Sequence, residues 1–139
     1  MNAAAFLAKQ ARQRPDELAI RRGEETITYR QFYANALAFG GSMLDRGLEA
    51  GDRVAFGLAN GPRVLETIYG CFAAGLVVVP INARLHPREI AYIVQNSAAR
   101  CLVYGPEYDA GIVARGAEFD GVQLKVCTEP VAAALLWDE

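Results

Sequence analysis

An α/β fold, a mostly parallel sheet with helices on both faces, is predicted by three features of the 139-residue chain. Residues 76–81, LVVVPI, form a β-branched run without polar alternation, the composition of a strand covered on both sides. Apolar runs of strand length alternate with stretches of helical period at short spacing, which implies right-handed crossovers between parallel strands. The breaks between them carry helix punctuation: Thr28, Pro62 and Pro87 where helices should start, Gly47 and Gly75 where they should stop. Residues 1–139 are expected to make a single α/β subdomain.

In chain order, Phe6, Leu7, Gln10 and Ala11 mark an amphipathic first helix that Pro15 stops. Residues 18–21 and 26–28 flank the turn Gly23-Glu24 as a short hairpin. Thr28 then stands as an N-cap with Gln31 three residues on, completing a capping box and opening a helix whose apolar side is Phe32, Ala36, Phe39, Met43 and Leu44. Gly40 and Gly41 each cost about 1 kcal/mol of helix propensity against alanine, so close packing is expected at both.

Residues 53–58 read as a strand, and Asn60-Gly61-Pro62 as the turn into a helix that buries Val64, Leu65, Ile68, Tyr69 and Phe72. After the valine-rich strand, Pro87 opens a helix with His86 before it and Glu89 in its electropositive first turn, burying Ile90, Ile93 and Val94. Residues 101–104 and 123–127 are two further strands separated by a helix over 108–115. Beyond Pro130, VAAALLWDE reads as the start of another helix.

Composition narrows the function classes. The hydrophobic fraction is 53% with 22% charged residues, on the apolar side of average for a globular domain, which hints at a missing neighbour. Net charge is −2 with scattered arginines, so no basic stripe exists to neutralise a nucleic-acid backbone. The longest apolar run, residues 70–81, is too short to cross a bilayer. Cys71, Cys101 and Cys127 lie in apolar stretches without C-x-x-C spacing, the pattern of reduced core thiols in a cytoplasmic protein.

Ligands of open α/β sheets bind beyond the carboxyl ends of the strands, which directs attention to the turns after Leu58, Ile81 and Tyr104. Arg84, in Asn82-Ala83-Arg84-Leu85, carries the planar fork that suits a phosphate; the competing reading pairs it with an acid such as Glu89 or leaves it in solvent. Asn82 is expected to stabilise its own turn, and His86 to start the helix rather than act as a base. The turn around Gly57 and Gly61 is glycine-poor for anion binding, and neither a G-x-G-x-x-G fingerprint nor a G-x-x-x-x-G-K-[ST] loop is present.

The pattern G-x-V-V-V-P-x-N-x-R-L-x-P-x-E-[IL]-x-Y-[IL], filled by residues 75–93, resembles the N-terminal region of acyl-CoA synthetases of the adenylate-forming superfamily. The resemblance extends through the LTYxEL-like residues 27–32 and through GDRVAFGLANGPRVLE at residues 51–66. It implies the first subdomain of that family's large N-terminal domain, from an enzyme that activates a carboxylic acid with ATP and magnesium and transfers it to coenzyme A. It also implies that Arg84 meets a nucleotide phosphate of coenzyme A. The family's Ser/Thr/Gly-rich loop ending in lysine, its Y-G-x-T-E and Y-x-T-G-D motifs and its C-terminal lysine do not occur in this sequence. In the family they all lie downstream of the matched region, so the expectation is an N-terminal fragment that is inactive alone, binds no cofactor tightly, contains no catalytic or metal-binding residue, and normally packs against the remainder of the synthetase. Such a fragment should expose an apolar patch and self-associate. The alternative is a free-standing, non-catalytic α/β module that binds a ligand or a protein.

Overall fold

The computed structural model describes residues 2–132 and 134–138. The chain forms two compact units, residues 1–50 with 60–76, and residues 51–59 with 77–139.

The first unit is helical with one hairpin. Helix α1 (Ala4–Gln13) buries Ala4 and Leu7 but leaves Phe6 exposed, against the amphipathic reading of that residue. Strands β1 (Leu18–Arg22) and β2 (Glu25–Thr28) pair antiparallel around Gly23, whose φ of 59° is readily adopted only by glycine. Helix α2 (Tyr29–Asp45) opens with the expected capping box: the Gln31 N–H donates to Thr28 Oγ1 at 3.3 Å, and the Thr28 N–H to Gln31 Oε1 at 2.9 Å. Leu7, Phe32 and Ala36 form the core, with Ile20, Ile27 and Tyr69 packed against it and the rings of Phe32 and Tyr69 edge-on at 5.2 Å.

Helix α3 (Pro62–Ala74) begins with proline in its first turn and ends at Gly75 in the left-handed conformation, as the sequence predicts. Its buried side is not the predicted one. Pro62, Glu66, Thr67, Gly70 and Cys71 face inward, Leu65 is exposed, and Val64, Ile68, Tyr69 and Phe72 are only half-buried. Close approach to α2 explains the rotation. A Cβ on Gly70 would sit 2.6 Å from the Ala36 carbonyl oxygen, and one on Gly40 would overlap the Gly70 carbonyl, so the contact selects small residues over large apolar ones. Gly40 thus has the predicted tight packing, whereas a Cβ on Gly41 would meet nothing within 4 Å.

The second unit is a five-stranded parallel sheet flanked by helices. Its strands are β3 (Arg53–Gly57), β4 (Val77–Pro80), β5 (Cys101–Tyr104), β6 (Leu124–Cys127) and β7 (Leu135–Leu136), in the spatial order β4-β3-β5-β6-β7. Register aligns Val54 with both Val78 and Cys101, and Cys127 with Leu136. Helix α4 (Pro87–Ser97) sets Ile90, Ala91 and Val94 on the sheet face made by Ala55, Leu102, Tyr104 and Cys127, with Ile93 only partly buried. The short helix α5 (Asp109–Ala114), flanked by 3-10 turns at Pro106–Tyr108 and Gly116–Phe119, adds Ile112 to the same core. Val54, Phe56, Cys101, Val103 and Val126, on the alternate positions, are buried as well.

Two expectations fail here. The valine-rich run is the edge strand β4, with Val77 46% exposed, not a strand covered on both faces. The tail after Pro130 contributes the edge strand β7 instead of starting a helix, because Leu135 and Leu136 join the open side of β6 and the Trp137 N–H donates to the Cys127 carbonyl at 2.8 Å.

Candidate functional site

The corner after β4 is held by one long-range and two local hydrogen bonds. The Ile81 N–H donates to the Phe56 carbonyl at 2.9 Å, tying the strand exit to β3. Asn82 Oδ1 then accepts from the Arg84 N–H at 3.0 Å, and the Asn82 carbonyl accepts from the Leu85 N–H at 3.2 Å, so the asparagine side chain closes its own turn as expected. Arg84 is left exposed, and among the described residues its guanidinium has no hydrogen-bonding or ionic partner. Glu89, the acid that could have neutralised it, is committed elsewhere. Glu89 Oε2 accepts from the His86 N–H at 2.9 Å while His86 Nδ1 accepts from the Arg88 N–H at 3.2 Å. His86 is therefore the N-cap of α4, with Nδ1 occupied as an acceptor, which accounts for the only histidine without invoking acid–base chemistry.

Next to this corner lies a groove of about 870 Å³ lined by Leu85, His86, Arg88, Glu89, Tyr92, Ile93 and Arg115. The ring of Tyr92 is 67% exposed, and Arg88, in the first turn of α4, is exposed without a side-chain partner among the described residues. Arg115 is partly neutralised by Glu118 at 2.9 Å. The Arg88 guanidinium beside an open aromatic face suits an anionic organic ligand, because paired charge-assisted hydrogen bonds hold the anion and the ring takes a flat apolar group.

A second cluster sits at the carboxyl ends of β5 and β6. The strand order is of the flavodoxin type, with its switch point between β3 and β5, so this is the conventional ligand end of the sheet. The Tyr104 hydroxyl donates to Asp109 Oδ1 at 2.9 Å. Burial, followed by that bond to a carboxylate, pushes the phenol far above its ordinary range, so Tyr104 keeps its proton and acts as a strut for the start of α5. Burial likewise raises the Cys127 thiol. One sequence signal points to this pair, a tyrosine closing a strand with an aspartate five residues on. A second feature missed by sequence reasoning is Glu66, buried in the first unit and held by Asn35 Nδ2 at 2.7 Å and Arg63 at 3.3 Å.

No group of three or more His, Cys, Asp or Glu side chains suited to a metal ion occurs among the described residues, and no described helix is long and apolar enough to cross a membrane.

The AMP-binding enzyme family model matches residues 7–136. The chain is 34% identical over 103 residues to 4-hydroxybutyrate–CoA ligase 2 of Metallosphaera sedula, covering 74% of this chain and 19% of the ligase. It is 33% identical over 109 residues to feruloyl-CoA synthase of an Amycolatopsis species, covering 78% and 22%. A fatty acyl CoA synthetase of Mycobacterium tuberculosis shares the fold with a TM-score of 0.83 at 28% identity, over 91% of this chain and 26% of its own. A benzoate CoA ligase from Burkholderia xenovorans gives a TM-score of 0.87 at 22% identity over 99% of this chain and 27% of its own, a likeness of fold. The chain thus spans about a fifth to a quarter of the length of these relatives. With nearly its whole length matched, the chain belongs to the AMP-binding enzyme family and corresponds to an N-terminal part of an adenylate-forming acyl- or aryl-CoA ligase.

Proposed function

We propose that this chain is the first subdomain of a cytoplasmic, ATP-dependent acyl- or aryl-CoA synthetase and supplies one wall of its coenzyme A site. ATP, magnesium, coenzyme A and a carboxylic acid serve the complete enzyme. The observation that carries the reading is the Asn82 corner, which fixes the backbone of Arg84 beyond the end of β4 and leaves its guanidinium exposed, without a partner among the described residues, in a chain of this family. That guanidinium fits a phosphate of coenzyme A, and Asn82 acts by holding the turn that presents it. Adenylation needs preorganised cations and donors around the transferring phosphoryl group, and the family's lysine-ended phosphate loop does not occur in these 139 residues. The chain alone is therefore inactive, and the remainder of the synthetase is its partner.

Pyrophosphate exchange tests this directly. The purified chain should not exchange label between ATP and pyrophosphate with any of a panel of fatty, aromatic and short-chain acids; turnover would overturn the reading. In the complete enzyme, Arg84→Ala should raise KM for coenzyme A by about 10- to 100-fold, the worth of a charge-assisted hydrogen bond, while leaving pyrophosphate exchange unchanged. An unaltered KM would remove Arg84 from the site.

A further inference from the structure

The outward face of α2 is anomalous for a surface helix. Between Gln31 and Asp45 every exposed position is apolar or glycine: Ala34, Leu37, Ala38, Gly41 and Leu44, with Tyr33, Asn35 and Ser42 half-buried at the margins. Leu37 and Leu44 are 42% and 40% exposed, while the opposite side of the helix already buries Phe32, Ala36, Phe39, Gly40 and Met43. A helix with an apolar outward face opposite an apolar buried one is expected to be covered on both. Gly41, which has no packing role within the chain, lies in the middle of this face.

The charges at its two ends identify the occupant. Arg30 stands in the first turn of α2, where the helix dipole disfavours a cation, and Asp45 in the last turn, where it disfavours an anion. Arg30 has its only side-chain partner among the described residues in the exposed Asp16, at 3.1 Å, and Asp45 has none. We propose that this face is the contact between two copies of the chain, with the α2 helices packed antiparallel about a two-fold axis. In the register that sets Leu37 of one copy against Ala38 of the other, Ala34 faces Gly41, Gln31 faces Leu44, and Arg30 faces Asp45 at both ends. Large side chains meet small ones, each misplaced charge finds its opposite, and each lies at the favourable end of the other helix's dipole. A single helix pair buries less than the roughly 800 Å² per partner of a standard stable complex, so the association is weak, with a Kd of about 10 to 300 μM.

Sedimentation equilibrium of the purified chain up to about 0.5 mM should show a reversible shift from 15.1 kDa towards twice that mass. Leu37→Glu should weaken the dimer at least about tenfold. Gly41→Lys should do the same, in a position where the monomer has room for a side chain, so loss of the dimer there is separable from loss of the fold, which far-UV circular dichroism monitors. Asp45→Arg should weaken association, and adding Arg30→Asp should restore it, a rescue that only an antiparallel pairing of these two residues produces. A chain that stays monomeric at the highest concentration overturns the proposal, as does association that survives both Leu37→Glu and Gly41→Lys. These outcomes do not depend on coenzyme A, so they stand or fall apart from the synthetase reading.

Discussion

Glu66 shows how a charged side chain is accommodated on the buried face of a helix. Its carboxylate is 1% exposed, and it is stable there because the Asn35 amide and the Arg63 guanidinium, itself 36% exposed, satisfy it. Removing one member of such a set strands the others, which costs more than the pair contributes in net terms. Glu66→Ala should therefore lower unfolding free energy by about 3 kcal/mol, read from the denaturant midpoint at unchanged slope. Hydropathy alone could not find this residue, because a glutamate in a helix is by default a solvent group. Asn82 and His86 were legible for the opposite reason: their bonds close within two or three residues, so local spacing contains the whole interaction. The thiols belong to the same scale. Burial pushes Cys71 from 9.0 up to about 12, so the folded protein holds that proton over a range in which the unfolded chain has released it. Unfolding then releases a proton, and stability should fall as pH rises from about 9 towards 12, with Cys71→Ala flattening the slope in pH-dependent urea titrations.

At the scale of elements, α2 and α3 carry the clearest test, because two adjacent glycines have opposite roles. Gly40→Ala places a methyl against the Gly70 carbonyl and should destabilise by about 1 to 3 kcal/mol through overpacking. Gly41→Ala meets only open space and should stabilise by about 0.4 to 1 kcal/mol through the unfolded chain. Thermal midpoints moving in opposite directions would check both, and a shared direction would refute the account of the helix contact. Starts and stops of elements were readable because caps, proline and left-handed glycine act locally: Thr28, Pro62, Gly75 and Pro87 all stand where the structure uses them. Faces and neighbours were less readable. The predicted stripe of α3 followed hydrophobicity, whereas the helix turned its small residues to α2; the valine run of β4 looked central, but strand order depends on pairings far apart in sequence. The tail beyond Pro130 failed for the same reason, since an Ala- and Leu-rich segment is extended only where an open strand edge receives it.

For the whole molecule, connectivity has a consequence that neither unit shows alone. One unit is assembled from residues 1–50 and 60–76 and the other from 51–59 and 77–139, so the chain passes between them at three peptide connections. Strand β3 is inserted between segments of the first unit, and α3 between strands of the second. Neither inserted piece can leave its unit without both of its ends being released, and a chain of this size is within the range where single cooperative transitions are the rule. The units should therefore unfold together. Two native reporters separate them without engineering: Trp137, the sole tryptophan, lies 7% exposed in the second unit, and Cys71, fully buried, lies in the first. In a urea series, the fluorescence change of Trp137 and the onset of Cys71 alkylation, with the other thiols replaced by alanine, should give the same midpoint within error. Alkylation of Cys71 at urea concentrations that leave Trp137 fluorescence native would show that the helical unit opens by itself, and the cooperative picture would fail.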